Sequence, residues 1–349
     1  MELTNNALRA MSREELTALI KENSEYIDPD ITRMAAFYRD RNYGPKVFFR
    51  GLIEFTNYCR NDCYYCGINR SNKDARRYRL SDEEILECCR YGYSIGLRTF
   101  VLQGGDDAYF TTERLCSIVA SIRSEFPDCA VTLSVGELSK EAYQALYDAG
   151  AARYLLRHET ADAAHYALLH PGELKLSQRK QCLFDLKEIG FQVGAGFMIG
   201  SPFQTDESLA EDLLFLKELE PHMVGIGPFI PHASTRFKDY PSGSVQKTLL
   251  MISLVRIMLP SALIPATTAL GTADPFGREL GMRAGANVVM PNLSPKSVRE
   301  DYLLYDGKIC TDEEAAECIE CLKRRIQKAG FEPDLTRGDH SAFGPTKAV

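Results

Sequence analysis

No long uninterrupted apolar run occurs anywhere in the 349 residues. The most hydrophobic stretch, TLLMISLVRIMLP, is broken by Arg256 and is too short to cross a bilayer, which excludes membrane insertion on length. A basic excess is missing as well. Lys plus Arg total 41 against 48 Asp plus Glu, a formal charge of −7, so general attraction to nucleic acid is not expected. The opening MELTNNALRAMSREEL lacks the basic start and apolar run of a secretory signal, and a cytoplasmic location is expected. Short-period repeats and low-complexity tracts are lacking too, which excludes a solenoid.

What stands out against these absences is cysteine, with 11 in one chain. In a reducing compartment such thiols are free, metal-bound or buried, with disulfides the minor case. Hydrophobic residues at 45% and charged ones at 26% describe an ordinary globular protein with ample core material, and exclude disorder.

Short β-branched and aromatic runs lie at Val47–Phe55, Arg98–Leu102, Ala130–Val135, Arg153–Leu156, Gln192–Met198, Met223–Gly227, Leu263–Thr267 and Asn287–Met290. Between them run segments with helical spacing: one opening at Ser81 with the capping box SDEE, then Thr112–Ser124, Ser139–Asp148, Ser177–Ile189, Asp206–Leu219, Val245–Met258, Phe276–Ala284 and Asp312–Ala329. Gly96, Gly150, Gly190, Gly285 and Gly330 each follow such a run, as a C-cap requires. The alternation predicts an α/β fold, a complete (β/α)8 TIM-type barrel over residues 46–309. A helical extension over 1–45 precedes it and a cluster-bearing tail over 310–349 follows; a six-strand partial barrel is the rival. Barrel active sites form where strands end. The segments found there are TNYCRNDC, QGGDD, SVGE, RHET, IGSPFQT, GPFIPH, TTALGT and PNLSP.

Cys59, Cys63 and Cys66 stand in CRNDCYYC after the first strand. Three thiolates so closely spaced can wrap one 4Fe-4S cluster and leave one iron open for a small molecule. A zinc knuckle with a distant fourth ligand, or three unrelated thiols, are the alternatives. Gly104 and Gly105 allow close approach of the main chain, and Asp106 and Asp107 can accept from an ammonium; the bland alternative is a tight turn capping the next helix. Cys310, Cys318 and Cys321 form a second set, C-x7-C-x2-C, able to hold a 2Fe-2S or second 4Fe-4S cluster or else to be helix-core thiols. Cys88, Cys89, Cys116, Cys129 and Cys182 have no ligand spacing and are expected to be core thiols.

The cysteine loop, with Tyr65 before its last cysteine, resembles the radical S-adenosylmethionine (SAM) enzymes. Further segments extend the likeness over roughly Phe48 to Cys321: RYLLRHET, GAGFMIGSPFQT, IGPFIPH, IPATTALGT and GANVVMPNLSP. Together they resemble the FeFe-hydrogenase maturase HydE family. The resemblance implies SAM chelated by the open iron and cleaved reductively to a 5′-deoxyadenosyl radical. It also implies a SAM site of Tyr65, Gly104, Gly105, Asp106, Ser134, Glu159 and Arg179, with Asp106 where the superfamily usually has Glu. The substrate it implies is a small iron unit with carbonyl, cyanide and cysteine ligands. Expected partners are the other hydrogenase maturases and a reductant such as ferredoxin or flavodoxin.

Residues expected to line the substrate pocket are Arg157, Thr132, Thr267 and Thr268, a cation flanked by hydroxyls, with Gln103 and Tyr305 beside them. A buried arginine satisfied by carbonyls, among threonines chosen for β propensity, is the alternative. His158 and His232 read as hydrogen-bonded structural histidines. The rival functions are a methylornithine synthase-like lysine mutase, biotin synthase and a non-catalytic iron–sulfur scaffold.

Overall fold

The computed structural model describes residues 3–311 and 315–343. Nine strands form among the described residues, at β1 (Lys46–Phe49), β2 (Gly51–Thr56), β3 (Thr99–Gly104), β4 (Ala130–Ser134), β5 (Ala151–Leu155), β6 (Gln192–Ile199), β7 (Met223–Pro228), β8 (Val288–Val289) and β9 (Glu332–Asp334). Strands β2 to β7 make one parallel sheet in sequence order. Strands β2, β6 and β7 are buried along their whole lengths, with helices on the outer face and the barrel interior on the inner one.

The complete eight-stranded barrel expected from the sequence is corrected here. Six strands form a continuous TIM-type arc, and the remaining side carries only the short sheet β8-β1-β9 and isolated bridges, Met223 to Leu263, Pro265 to Val288 and Leu52 to Asn292. The expected strand Leu263–Thr267 does not form a ladder. Pro265 has no N–H to donate, and Thr267 turns away to cap helix Thr268–Ala273, its hydroxyl accepting from the Leu270 N–H at 3.2 Å. The eighth strand shrinks to two residues before Pro291.

Helix ends follow the sequence signals. Ser81 and Glu84 form the full capping box of helix Asp82–Ser94. All five expected C-cap glycines have positive φ, from 92° at Gly330 to 118° at Gly285. The last expected helix is described as Ala315–Lys328, its predicted start at Asp312 lying outside the described residues.

Helices Asn5–Ala10, Arg13–Glu22 and Pro29–Tyr43 pack on the outside, against Asp206–Leu219 and Val245–Met258. This explains the apolar run around Arg256, which is buried between layers. Its guanidinium donates to the carbonyls of Gly285, Pro260 and Ala262 and to the Asn287 side chain. No helix among the described residues is long and apolar enough to cross a membrane. At the floor of the barrel the segment from Arg337 to Asp339 acts as a plug. Arg153, 1% exposed, donates to the Arg337 carbonyl at 2.6 Å and to Asp339 at 2.7 Å.

Candidate functional site

The cysteine loop is held in place by one guanidinium. Arg77 donates to the carbonyls of Asn57, Ile68, Asn69 and Asn72, at 2.5 to 3.1 Å, and so fixes both ends of the loop. Inside it, the Cys66 N–H donates to the Cys63 carbonyl at 3.2 Å and Asn69 Nδ2 to the Cys66 carbonyl at 2.7 Å. Strand β3 presses on the loop from the side. A Cβ on Gly105 would lie 2.1 Å from the Tyr58 carbonyl oxygen, so the second glycine of QGGDD is required for this close packing whatever binds beside it.

A cavity of about 290 Å3 opens at the strand ends and brings most of the sequence-derived residues together. Cys59, Cys63 and Cys66 line it, as do Tyr65, Gln103, Gly104, Gly105, Asp106, Ser134, Arg157, Glu159, Arg179, Thr267 and Tyr305. Leu155, Leu156, Met198 and Phe229 make its apolar part. Thr132 and Thr268 are not on this wall. Thr132 is fully buried in β4, its hydroxyl without a hydrogen-bond partner. Thr268 accepts from Arg278 Nη2 at 3.4 Å on the side facing the second cysteine set.

The three thiols suit an iron–sulfur cluster in their environment. Burial pushes Cys63 up to about 12 and raises Cys59 and Cys66 as well, with each thiolate opposed by its neighbours. Such thiols lose their protons when cationic iron takes the protons' place. Among the described residues, no three His, Cys, Asp or Glu side chains converge as on a single metal ion. A cubane places its irons at separate corners and does not ask its ligands to meet at a point.

Around the thiols the charges are opposed in pairs. Asp106 pairs with Arg60 at 3.0 Å and accepts from Asn61 Nδ2 at 3.2 Å, while burial raises its carboxyl above the ordinary value. Asp107 does not share this wall: Arg79 grips it with two hydrogen bonds, at 2.7 and 2.9 Å. Arg179, on helix Leu176–Ile189, donates Nη1 to the Arg157 carbonyl at 2.9 Å and Nε to Glu137. Glu137 was missed among the candidates, although it ends the strand-end segment SVGE. Arg157 Nη2 and Glu159 Oε2 face each other at 3.1 Å as an ion pair without hydrogen-bond geometry, and Arg157 Nε is buried with no hydrogen-bond partner, leaving donor capacity for a ligand.

Tyr65 is oriented by His170. The imidazole donates Nδ1–H to the Tyr166 carbonyl at 3.0 Å, so Nε2 is left to accept from the Tyr65 hydroxyl at 3.2 Å. Burial lowers His170 to about 3, which keeps that acceptor free of a proton. Gln103 donates to the Tyr302 hydroxyl at 3.3 Å, and burial raises the Tyr305 phenol to about 12.

The second cysteine set lies apart from the cavity. Cys318 is buried on helix Ala315–Lys328, Cys321 is half-buried one turn on, and Cys310 adopts φ 65° with both terminal nitrogens of Arg278 at 3.8 Å from its sulfur. None of the 11 cysteines forms a disulfide, and Cys88, Cys89, Cys129 and Cys182 are buried in the core. His232 Nδ1 accepts from the Ser234 N–H, and His158 is bonded to Asp212.

A family profile described as "Radical SAM superfamily" matches residues 53–216. The chain is 44% identical over 325 residues to the [FeFe] hydrogenase maturase subunit HydE of Thermotoga maritima, covering 93% of this chain and 92% of that one. It is 29% identical to a 3-methylornithine synthase of Methanosarcina acetivorans, over 93% of this chain and 90% of the relative. Among solved structures, a methylornithine synthase superposes with a TM-score of 0.79 at 28% identity over 96% of this chain and 95% of the other. The maturase HydG of Carboxydothermus hydrogenoformans, at 20% identity, shares the fold with a TM-score of 0.78 over 95% of this chain and 78% of its own.

Proposed function

From a chain that belongs to the radical SAM superfamily and, within it, to the HydE maturases, we propose an enzyme of FeFe-hydrogenase H-cluster maturation that acts on a cysteine-bound Fe(CO)2CN unit. The observation that carries the reading is the single cavity lined by the three loop thiols together with Asp106, Ser134, Glu159 and Arg179. When bound, the 4Fe-4S cluster with SAM on its open iron supplies a 5′-deoxyadenosyl radical, by one-electron cleavage of a sulfonium carbon–sulfur bond with release of methionine.

The chain's own residues bind, orient and exclude water. Cys59, Cys63 and Cys66 hold three irons. Asp106 faces the amino group of SAM, Arg179 its carboxylate, and Glu159 and Ser134 the ribose, with Gly104, Gly105 and Tyr65 giving close walls. The Arg157 guanidinium, with Thr267, Gln103 and Tyr305 on the same cavity wall, offers the anionic iron unit its donors. Apolar walls at Leu155, Met198 and Phe229 keep water from the radical. In this reading residues 46–309 form the catalytic unit between the 1–45 extension and the 310–349 tail, whose cysteines hold an accessory 2Fe-2S or 4Fe-4S cluster. Ferredoxin or flavodoxin serves as reductant.

The test adds the iron dicarbonyl cyanide cysteine unit to reduced, cluster-loaded protein with SAM, and lysine to a parallel sample. Consumption of the iron unit with a new iron species is expected. A branched diamino acid from lysine would instead support a methylornithine synthase activity, the second reading favoured by the structural likeness.

A further inference from the structure

His158 sits in the segment that carries Arg157 and Glu159, yet it faces the other way. Arg157 and Glu159 line the cavity, whereas the imidazole packs outward against helix Asp206–Leu219, with the Phe215 ring at 4.9 Å and the Phe197 ring of strand β6 at 5.7 Å. Both His158 and Asp212, on that helix, are fully buried.

The backbone sets the tautomer. The Gly196 N–H donates to His158 Nδ1 at 3.3 Å, so the ring proton lies on Nε2 and is donated to Asp212 Oδ1 at 3.1 Å. The same Oδ1 accepts from the Ala161 N–H at 2.6 Å. Asp212 thus holds residue 158 by its side chain and residue 161 by its main chain. Between these anchors lies Glu159, with φ 66°, a left-handed conformation unfavourable for any residue with a Cβ. Strand β6 grips the same turn: the Glu159 N–H donates to the Gly196 carbonyl at 3.0 Å and its carbonyl accepts from Met198 at 3.2 Å. Burial raises the Asp212 carboxyl well above its ordinary value, and Lys180, whose Nζ donates to the Ala161 carbonyl at 3.2 Å, opposes that shift in part.

We infer that His158 and Asp212 are a positioning pair, which holds the left-handed turn at Glu159 so that the Arg157 and Glu159 side chains stay on the cavity wall, facing the bound nucleoside and substrate. The inference rests on the reading that the cavity takes SAM. Neither residue lines the cavity, so both act through the turn. Turns held in unfavourable backbone conformations persist where the surroundings over-determine them, and here three hydrogen-bonding anchors do so.

The test is a SAM titration of the reduced, cluster-loaded protein, followed by the cluster's electron paramagnetic resonance signal, with 5′-deoxyadenosine formation timed in parallel. Asp212→Leu removes both acceptor contacts and raises the Kd for SAM by about tenfold or more, as a misplaced binding group does. Asp212→Asn keeps the Oδ1 acceptor and stays close to wild type. Phe215→Leu, which loosens packing on the same ring but leaves the hydrogen bonds, lowers Tm without moving the Kd. If the Leu variant does not fold, His158→Gln, which keeps the donor, against His158→Ala, which loses it, poses the same question from the other partner. Wild-type SAM affinity in folded Asp212→Leu overturns the inference, as does an Asn variant as impaired as the Leu one. A wild-type protein that neither binds nor cleaves SAM sinks the underlying reading instead.

Discussion

Arg179 donates its Nε to the carboxylate of Glu137, and both side chains are largely withdrawn from solvent, 11% and 17% exposed. Removing one member of such a pair leaves the other charge uncompensated. Arg179→Met is therefore expected to cost about 3 kcal/mol of apoprotein stability, toward the low end for a buried pair because some solvent reaches it. The double variant Arg179→Met/Glu137→Leu recovers most of that loss in urea denaturation but does not bind SAM. A single variant as stable as the double one would show that the pair contributes no coupling.

Glu137 also marks the boundary of what a linear reading can find. The loop thiols and Arg157 were legible because β-branched and aromatic runs, alternating with capped helices, place chemistry at strand ends, while the roles of Asp106, Ser134 and Glu159 came with the resemblance to the radical SAM enzymes. Arg179 was legible as a guanidinium but its partner was not, since the two are 42 residues apart and meet only through the fold. The same holds for Asp339 on Arg153 at the barrel floor. The seventh strand misled because Leu263–Thr267 has strand composition while Pro265 and the capping hydroxyl of Thr267 prevent a ladder. Thr268 was expected at a strand end on the cavity, but it opens helix Thr268–Ala273 and its hydroxyl accepts from Arg278.

Thr132 carries a buried hydroxyl with no partner. Replacing it by valine removes an unsatisfied group at nearly constant volume. Thr132→Val is expected to leave Tm unchanged or raise it, by up to about 1 kcal/mol in stability. Turnover of the iron substrate is expected to stay at the wild-type level, since the hydroxyl is not on the cavity wall. A loss of both stability and activity would mean that the hydroxyl has a protein partner.

Arg77 is the common donor for four carbonyls of the cysteine loop. Arg77→Ala leaves those carbonyls without their donor, and the chemically reconstituted protein is expected to hold less than half the wild-type iron. Arg77→Lys, lacking the planar fork, recovers only part of it. Iron and sulfide assays check this directly, and full occupancy in the Ala variant would contradict the role.

The barrel floor predicts acid sensitivity. His222 Nδ1 accepts from the Val193 N–H and His340 Nδ1 from the Ala342 N–H, so both must be neutral. Burial lowers each from 6.5 to about 4. Below about pH 6.5 the unfolded chain takes up protons that the folded one refuses, so stability present above that pH is lost as pH falls towards 4. Tm measured across this window should drop less steeply in His222→Asn/His340→Asn, where an amide oxygen keeps the acceptor without titrating. Equal slopes would remove these histidines from the account.

The most direct measurement of the central claim is 5′-deoxyadenosine formation from SAM by reduced, iron-loaded protein. Wild type is expected to form it, single Ala variants of Cys59, Cys63 or Cys66 to lose it, and Cys310→Ala to retain most of it. Formation unchanged when all three loop cysteines are replaced, or none in iron-replete wild type, as a passive iron–sulfur scaffold would give, contradicts the account.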